Sequence, residues 1–456
     1  MRNYLYVLIV LSALGQLRGQ EEKTYSFSLQ EAIDFALENN YKVINADRDI
    51  VDAQKQKWET IASGLPQISG AISYQNQLKQ PQTLFPSILI PEQFLPPGTQ
   101  QGPDIFVPLI FTQPQTATAT ATLKQQIFDG SYIVGVQATK AFLNYSANNR
   151  EKTGQEVTKA TVEAYGNVLL AQESVSIFER NKATLQKNLN ETVKIFENGL
   201  GDEESVEQLQ ITLSSVDNQL KNAIRLQAIT LKMLNLVMGI ALDAPTQLEE
   251  TLDDLTQKQI DFGLLESELN IENNVDYKLV ANLNEQRYFE WKLAKSRALP
   301  TLNAFINYGS SAFSDNFSFF NGDQEWFNSS VLGFDLSIPI FSSLKRSAST
   351  QRAKIAMEKA KTQLTEAEEQ VRLQLENTKS NYTLSIEQYQ NAKHNLDLAE
   401  RIEHKNEIKY FEGLATSFEL RQAQTQLYNA QQEYLQSMVE VINKKTELEI
   451  ILNNKS

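Results

Sequence analysis

The chain has 456 residues, no cysteine, and 42 Lys plus Arg against 56 Asp plus Glu, a formal net charge of −14. Without cysteine there is no disulfide framework, thiolate nucleophile or Cys-ligated metal, and the acidic balance argues against a nucleic-acid partner, which needs a basic surface. Beyond the N-terminus no apolar run reaches the roughly 18 residues of a membrane-spanning helix.

The chain opens with Arg2 and the ten-residue apolar run "LYVLIVLSAL" (5–14), followed by Gly15 and Gly19. A basic start, a short apolar core and small residues are the parts of a secretory signal peptide, here 1–20; a short buried helix is the alternative. No Cys follows the run, which argues against a lipoprotein anchor.

Residues 21–66 read as short helices ending at Leu65-Pro66. Then "QISGAISYQNQL" (67–78) alternates with a period of two: Ile68, Gly70, Ile72 and Tyr74 on one face, Ser69, Ala71, Ser73 and Gln75 on the other. Eight of the twelve prolines crowd into 81–114, a long loop. A second strand, 116–128, sets Ala117, Ala119, Ala121, Leu123 and Ile127 against Thr116, Thr118, Thr120, Lys124 and Gln126.

Residues 115–244 hold no proline, so long helices are allowed. Val157, Thr161, Ala164, Val168, Ala171, Val175, Phe178, Leu185, Leu189 and Phe196 alternate steps of three and four. After "ENGLGDEES" the pattern resumes at Val206, Leu209, Leu213, Val216 and Leu220. This predicts a helical hairpin over 131–238, turning at Gly199-Leu200, with a first helix of ~100 Å at ~1.5 Å per residue.

A connector (242–262) leads into a second half (263–456) that repeats the plan of the first (21–241). "GLPQI" (64–68) is echoed by "ALPTL" (298–302), "QQIFDG" (125–130) by "IPIFSS" (338–343), and "FENGL" (196–200) by "YFEGL" (410–414). Strand 301–310 carries Leu302, Ala304, Ile306 and Tyr308 on one face; strand 330–340 carries Leu332, Phe334, Leu336, Ile338 and Ile340. A Phe-rich segment (313–327) joins them. The second hairpin spans 344–452 and turns at Gly413-Leu414. Its seam includes many small or polar residues, which suits helices packed sideways in a wall; an ordinary antiparallel coiled coil is the alternative.

The fold class is therefore α+β and mostly α, with four amphipathic strands of about the length that crosses a bilayer when tilted. An open four-stranded sheet leaves two edges that a bilayer does not tolerate. Either several chains close a shared barrel, with Ile68, Ile72, Leu123, Ile306, Leu332, Phe334 and Leu336 toward lipid, or a soluble β-layer packs its apolar face on the helices.

The duplicated plan, "LP" before the first strand of each half, "IFDG" after the second strand, and the stretch "GLATSFELRQAQTQLYNAQQEY" (413–434) together resemble the TolC-like outer-membrane channel proteins of efflux and type I secretion systems. The resemblance covers nearly the whole chain after the signal segment. It implies a homotrimer with a 12-stranded barrel and a periplasmic helical tunnel, docked to a periplasmic adaptor and, through it, to an inner-membrane transporter. It also implies that Gly199, Leu200, Gly413 and Leu414 are adaptor-docking turns, and that Glu419 narrows the entrance. Gln422 stands where a second acid is expected. In the first tip Asp202, Glu203, Glu204 and Glu207 are further entrance candidates, and the run reads as holding a two-residue insertion. A solvated helix start explains the same acids.

Enzymatic readings find no support. His394 and His404 are ten residues apart, off a common helical face, and no phosphate loop, triad or metal spacing occurs. No catalytic residue, cofactor or metal is expected. The two function classes are a passive outer-membrane exit channel and a secreted coiled-coil protein of structural or adhesive use.

Overall fold

The structure is a computed structural model and describes residues 25–453; the expected signal segment at 1–20 lies outside the described residues. In chain order the elements are β1 (Tyr25–Phe27), α1 (Leu29–Asn39), α2 (Tyr41–Ala62), β2 (Gln67–Asn76), β3 (Thr83–Pro86), β4 (Phe106–Leu109), β5 (Gln115–Asp129), α3 (Gly130–Glu197), α4 (Glu203–Met238), β6 (Thr246–Leu248), α5 (Leu252–Gln259), α6 (Gly263–Glu266), α7 (Val275–Ser296), β7 (Thr301–Ser314), β8 (Phe327–Ser337), α8 (Lys345–Phe411) and α9 (Ser417–Leu452). Two compact units emerge. One comprises Met1–Ala53, Phe142–Glu285 and Lys359–Ser456, the other Gln54–Ala141 and Gln286–Glu358, so each draws on both halves of the sequence.

In the first unit the seam predicted for the first hairpin is buried at Val157, Val168, Leu185, Leu209 and Val216, and the second hairpin buries Val371, Leu375, Tyr389, Leu420 and Leu427 along its own. Full burial of one such leucine contributes about 2 kcal/mol. Phe196 is the exception. It sits in the last turn of α3 and is exposed. The connector is tied down by polar groups that spacing alone does not reveal. The Tyr165 hydroxyl donates to the Phe27 carbonyl (3.1 Å) and the Tyr382 hydroxyl to the Gln259 carbonyl (2.7 Å) while accepting from the Asp261 N–H (2.9 Å). β1 pairs in parallel with β6, a short sheet with no sequence signal of its own.

The second unit is built on a four-stranded antiparallel sheet ordered β2-β5-β7-β8. Three of its strands differ in extent from the spacing-based reading. β2 stops at Asn76, β7 continues to Ser314, and β8 starts at Phe327 and stops before Ile338-Pro339, where proline has no N–H for a ladder bond. Beyond that proline the chain turns into α8 through Ser343 and Leu344, both at positive φ (48° and 64°). The Pro-rich 81–114 segment is an ordered subdomain. β3 pairs with β4, and the fully buried Ser87 hydroxyl accepts from the Gly102 N–H (3.0 Å) and donates to the Gln100 carbonyl (3.1 Å).

Candidate channel elements: the strand sheet and the helical tips

The register of the sheet decides which side chains share a face. Ile68 lies opposite Leu123, Leu123 opposite Ile306, and Ile306 opposite Leu332, one apolar row across all four strands. Toward the helical end, Ala304 pairs with Phe334, and Phe128 with Leu302 and Leu302 with Leu336. Ile72 shares this face, but its row continues through Ala119 and Ser310 to Asn328. The other face carries Ser69, Thr122 and Asn307 in one row and Ser73, Thr118 and Ser311 in another, with the Ser73 and Thr118 hydroxyls 2.6 Å apart. Ile127 departs from the expected face. A bulge between Gln126 and Phe128 makes it the extra residue and puts Phe128 on the apolar side. The apolar face is open: Ile68 is 77% exposed and Leu332 66%.

At the far end, the β7–β8 connection folds back over the small residues of this face. Phe319 buries Ala117 and Ala312, and Tyr74 meets the Phe317 and Phe319 rings edge-on. The alanine run of β5 therefore makes room for an aromatic cover. β2 and β8 are the sheet's two edges, each with no second neighbour among the described residues.

The two hairpin tips are built alike. Gly199 (φ +73°) and Gly413 (φ +75°) terminate their helices in the left-handed conformation, with the Leu200 N–H on the Ile195 carbonyl and the Leu414 N–H on the Lys409 carbonyl. Leu200 and Leu414 are thrust into the open, 82% and 73% exposed. Each returning helix is capped three residues after its glycine, by Asp202 and by Thr416. The connecting segments are thus equal in length, and the expected two-residue insertion in the first tip does not separate the two. The run of acids is a capped helix start instead.

This geometry gives three of the acids definite partners. The Asp202 carboxylate accepts from the Ser205 N–H (2.6 Å), which holds its pKa low. Glu419 completes a capping box, its carboxylate accepting from the Thr416 N–H (2.7 Å) and hydroxyl (2.9 Å); these bonds hold it charged. Glu203, Glu204 and Glu207 are exposed, and Glu204 accepts from the Gln208 amide. Counted from the cap, Ser205 occupies the place of Glu419, and Glu207 that of Arg421, which stacks over the Phe418 ring (5.4 Å).

Behind the second tip lies a polar pair that the seam reading missed. Asn181 donates to Gln431 (2.8 Å), and one heptad nearer the tips Asn188 and Gln424 are fully buried, Asn188 with no hydrogen-bond partner on its amide. Gln424 faces the Glu403 carboxyl, whose pKa is raised by burial and by neighbouring Glu407. The signal was present in the sequence: both pairs, 181/188 and 424/431, are spaced by seven.

A family profile described as outer membrane efflux protein matches residues 32–240 and 279–454. The chain belongs to the outer membrane efflux protein family. Solved channels share its fold: VceC of Vibrio cholerae (TM-score 0.69, 16% identity, covering 93% of this chain and 96% of that one), CmeC of Campylobacter jejuni (0.70, 17%, 93% and 85%) and the open-state MtrE channel of Neisseria gonorrhoeae (0.67, 15%, 93% and 89%). No curated protein matches the chain. Membership makes this efflux protein an outer-membrane transport channel and not an enzyme, and sets aside the secreted structural or adhesive reading. Among the described residues no group of His, Cys, Asp and Glu could hold a metal ion.

Proposed function

We propose that this efflux protein works as a homotrimer, each chain giving four strands to a 12-stranded barrel in the outer membrane and two helical hairpins to a periplasmic tunnel. The observation that carries the reading is the sheet. It has a continuous apolar row from Ile68 to Leu332, a hydroxyl-rich opposite face, and two unpaired edges. A bilayer accepts such a sheet only when closed, and pairing β8 of one chain with β2 of the next closes it. The apolar face, with Ile68, Ile72, Leu123, Ile306, Leu332, Phe334 and Leu336, meets lipid, and the hydroxyl face lines the pore.

The exposed turns at Gly199-Leu200 and Gly413-Leu414 dock a periplasmic adaptor, which connects the channel to an inner-membrane transporter. Residues 1–20 direct export, and 21–241 and 263–456 are two copies of one repeat joined by 242–262. Glu419 and the first-tip acids, in three copies around one axis, give the entrance a cation preference. Membrane fractionation followed by mass measurement of the detergent-extracted particle tests the core of the proposal. The expected result is a membrane-bound trimer; a monomer with its strands intact would overturn it.

A further inference from the structure

The protein is acidic overall, yet the helical end of its sheet is basic. α2 and α7 lead into β2 and β7, and α3 and α8 follow β5 and β8, so four helix ends meet the sheet at one edge. There α7 carries Lys292 and Lys295, the turn after it carries Arg297, and the first turns of α8 carry Lys345, Arg346 and Arg352. Among the described residues none of these six has an ion-pair partner. Two of the nearby acids are engaged, Glu290 pairing with Arg287 (2.7 Å) and Asp129 accepting from the Ser131 N–H at the start of α3, and Glu59 on α2 and Asp335 on β8 leave the six bases in excess. α7 and α8 are antiparallel neighbours, the Thr350 hydroxyl reaching the Ala294 carbonyl (3.4 Å), which sets Lys292 level with Arg352 and Arg297 level with Ser347, one residue from Arg346.

Aromatic rings share this level. Lys295 lies over the Trp291 ring (5.1 Å) and Lys292 over Tyr288 (4.6 Å). Trp58, 61% exposed, holds the corresponding place on α2. The third tryptophan, Trp326, sits in the β7–β8 connection at the opposite end of the sheet, so the tryptophans bracket it as interfacial residues bracket a bilayer. That opposite end has the reverse charge: its two connections hold Glu92, Asp104, Asp315, Asp323 and Glu325 against Lys79 alone.

We propose that the helical end of the sheet is a binding surface for anionic phospholipid. Lys292, Lys295 and Arg297 take the phosphodiester of a phosphatidylglycerol-type headgroup in the periplasm-facing leaflet, and Trp58 and Trp291 lie at the acyl-ester level. The surface continues the apolar strand face, so one lipid contacts both, chains on Leu302 and Leu336 and phosphate on the lysines. A zwitterionic headgroup offers no net charge to this cluster. The inference rests on the outer-membrane barrel reading.

The test is lipid retention by the purified full-length protein, with phosphatidylglycerol or phosphatidylcholine added in detergent and bound lipids counted by native mass spectrometry. Phosphatidylglycerol should be retained preferentially. At about fivefold per cation near an anionic surface, K292Q/K295Q/R297Q should weaken it about a hundredfold and Lys295→Gln alone about fivefold, the single change serving if the triple variant does not assemble. K292R/K295R/R297K should keep the preference, and K187Q/K194Q on α3, outside this surface, should change nothing. Equal retention of both lipids, undiminished retention in Lys295→Gln, or displacement by inorganic phosphate at matched concentration would overturn the proposal. Fractionation, run first, separates its failure from failure of the channel reading, in which the chain would not enter membranes at all.

Discussion

Ile306 and Asn307 are neighbours on β7 that face opposite ways, so exchanging each for lysine isolates the face. Ile306 lies five residues from Thr301, where the sheet meets the helices. At ~3.3 Å per residue that is ~16 Å along the strand, and a tilt of ~40° makes it ~13 Å along the membrane normal, the middle of an apolar band ~25 Å tall. Its row neighbours Leu123 and Leu332 offer the ammonium no partner. Ile306→Lys should therefore cost ~2–4 kcal/mol per chain, or ~6–12 per trimer. Asn307→Lys places the same charge beside Thr122 and Val331 on the pore face and should cost under ~1 kcal/mol. Ile72→Lys tests depth on the same face: its row reaches Ser310, nine residues along β7 and ~23 Å along the normal, where cost falls to ~0–1 kcal/mol. The assay is the fraction of chain recovered as heat-stable trimer from membranes, with Asn307→Lys and Ile72→Lys both near wild type and Ile306→Lys far below them. Equal loss for Ile306→Lys and Asn307→Lys would refute the face assignment.

A Cβ at Gly199 or Gly413 meets nothing within 4 Å, so Gly413→Ala should cost only the left-handed backbone penalty of ~1–2 kcal/mol in chemical denaturation; at Gly239 the Cβ would lie 2.2 Å from the Asn39 carbonyl oxygen, and Gly239→Ala should be clearly worse. Glu403 has a raised folded-state pKa, so the folded form binds its proton more tightly and stability is lost as pH rises from the unfolded value through the folded one. Glu403→Gln should then raise Tm at pH 7 and flatten the profile in that window, and an unchanged profile would exclude Glu403 as its source. Replacing Asn188 by leucine removes two unpartnered buried amide atoms and should stabilise the hairpins by ~1–3 kcal/mol; destabilisation would mean that water satisfies them. Thr416→Ala breaks the capping box and should cost ~1 kcal/mol, read as a lower Tm.

Much of the molecule is legible in the sequence because the forces responsible are local. Steps of three and four marked the long helices, alternation marked the strands, and Gly199 and Gly413 marked the turns, since a left-handed residue after a helix is a demand of the backbone itself. The duplicated "LP" and "GL" segments showed that one plan is used twice. Other features depend on which segments meet, and no periodicity encodes that. The Phe128 bulge, the pairing of β5 with β7 across a separation of more than a hundred residues, and the fold-back of Phe319 onto Ala117 and Ala312 follow from register. The equal length of the tips emerged only when Asp202 and Thr416 were seen to cap equivalent turns. The buried Asn188–Gln424 level and the basic collar around Trp291 needed the antiparallel offsets of α3 with α9 and α7 with α8. The sequence determined which elements form and which of their faces are apolar, because propensity and burial act on each residue where it stands. Only the tertiary structure decided which of those faces meet a neighbour and which remain open, because that depends on contacts between residues the chain keeps far apart.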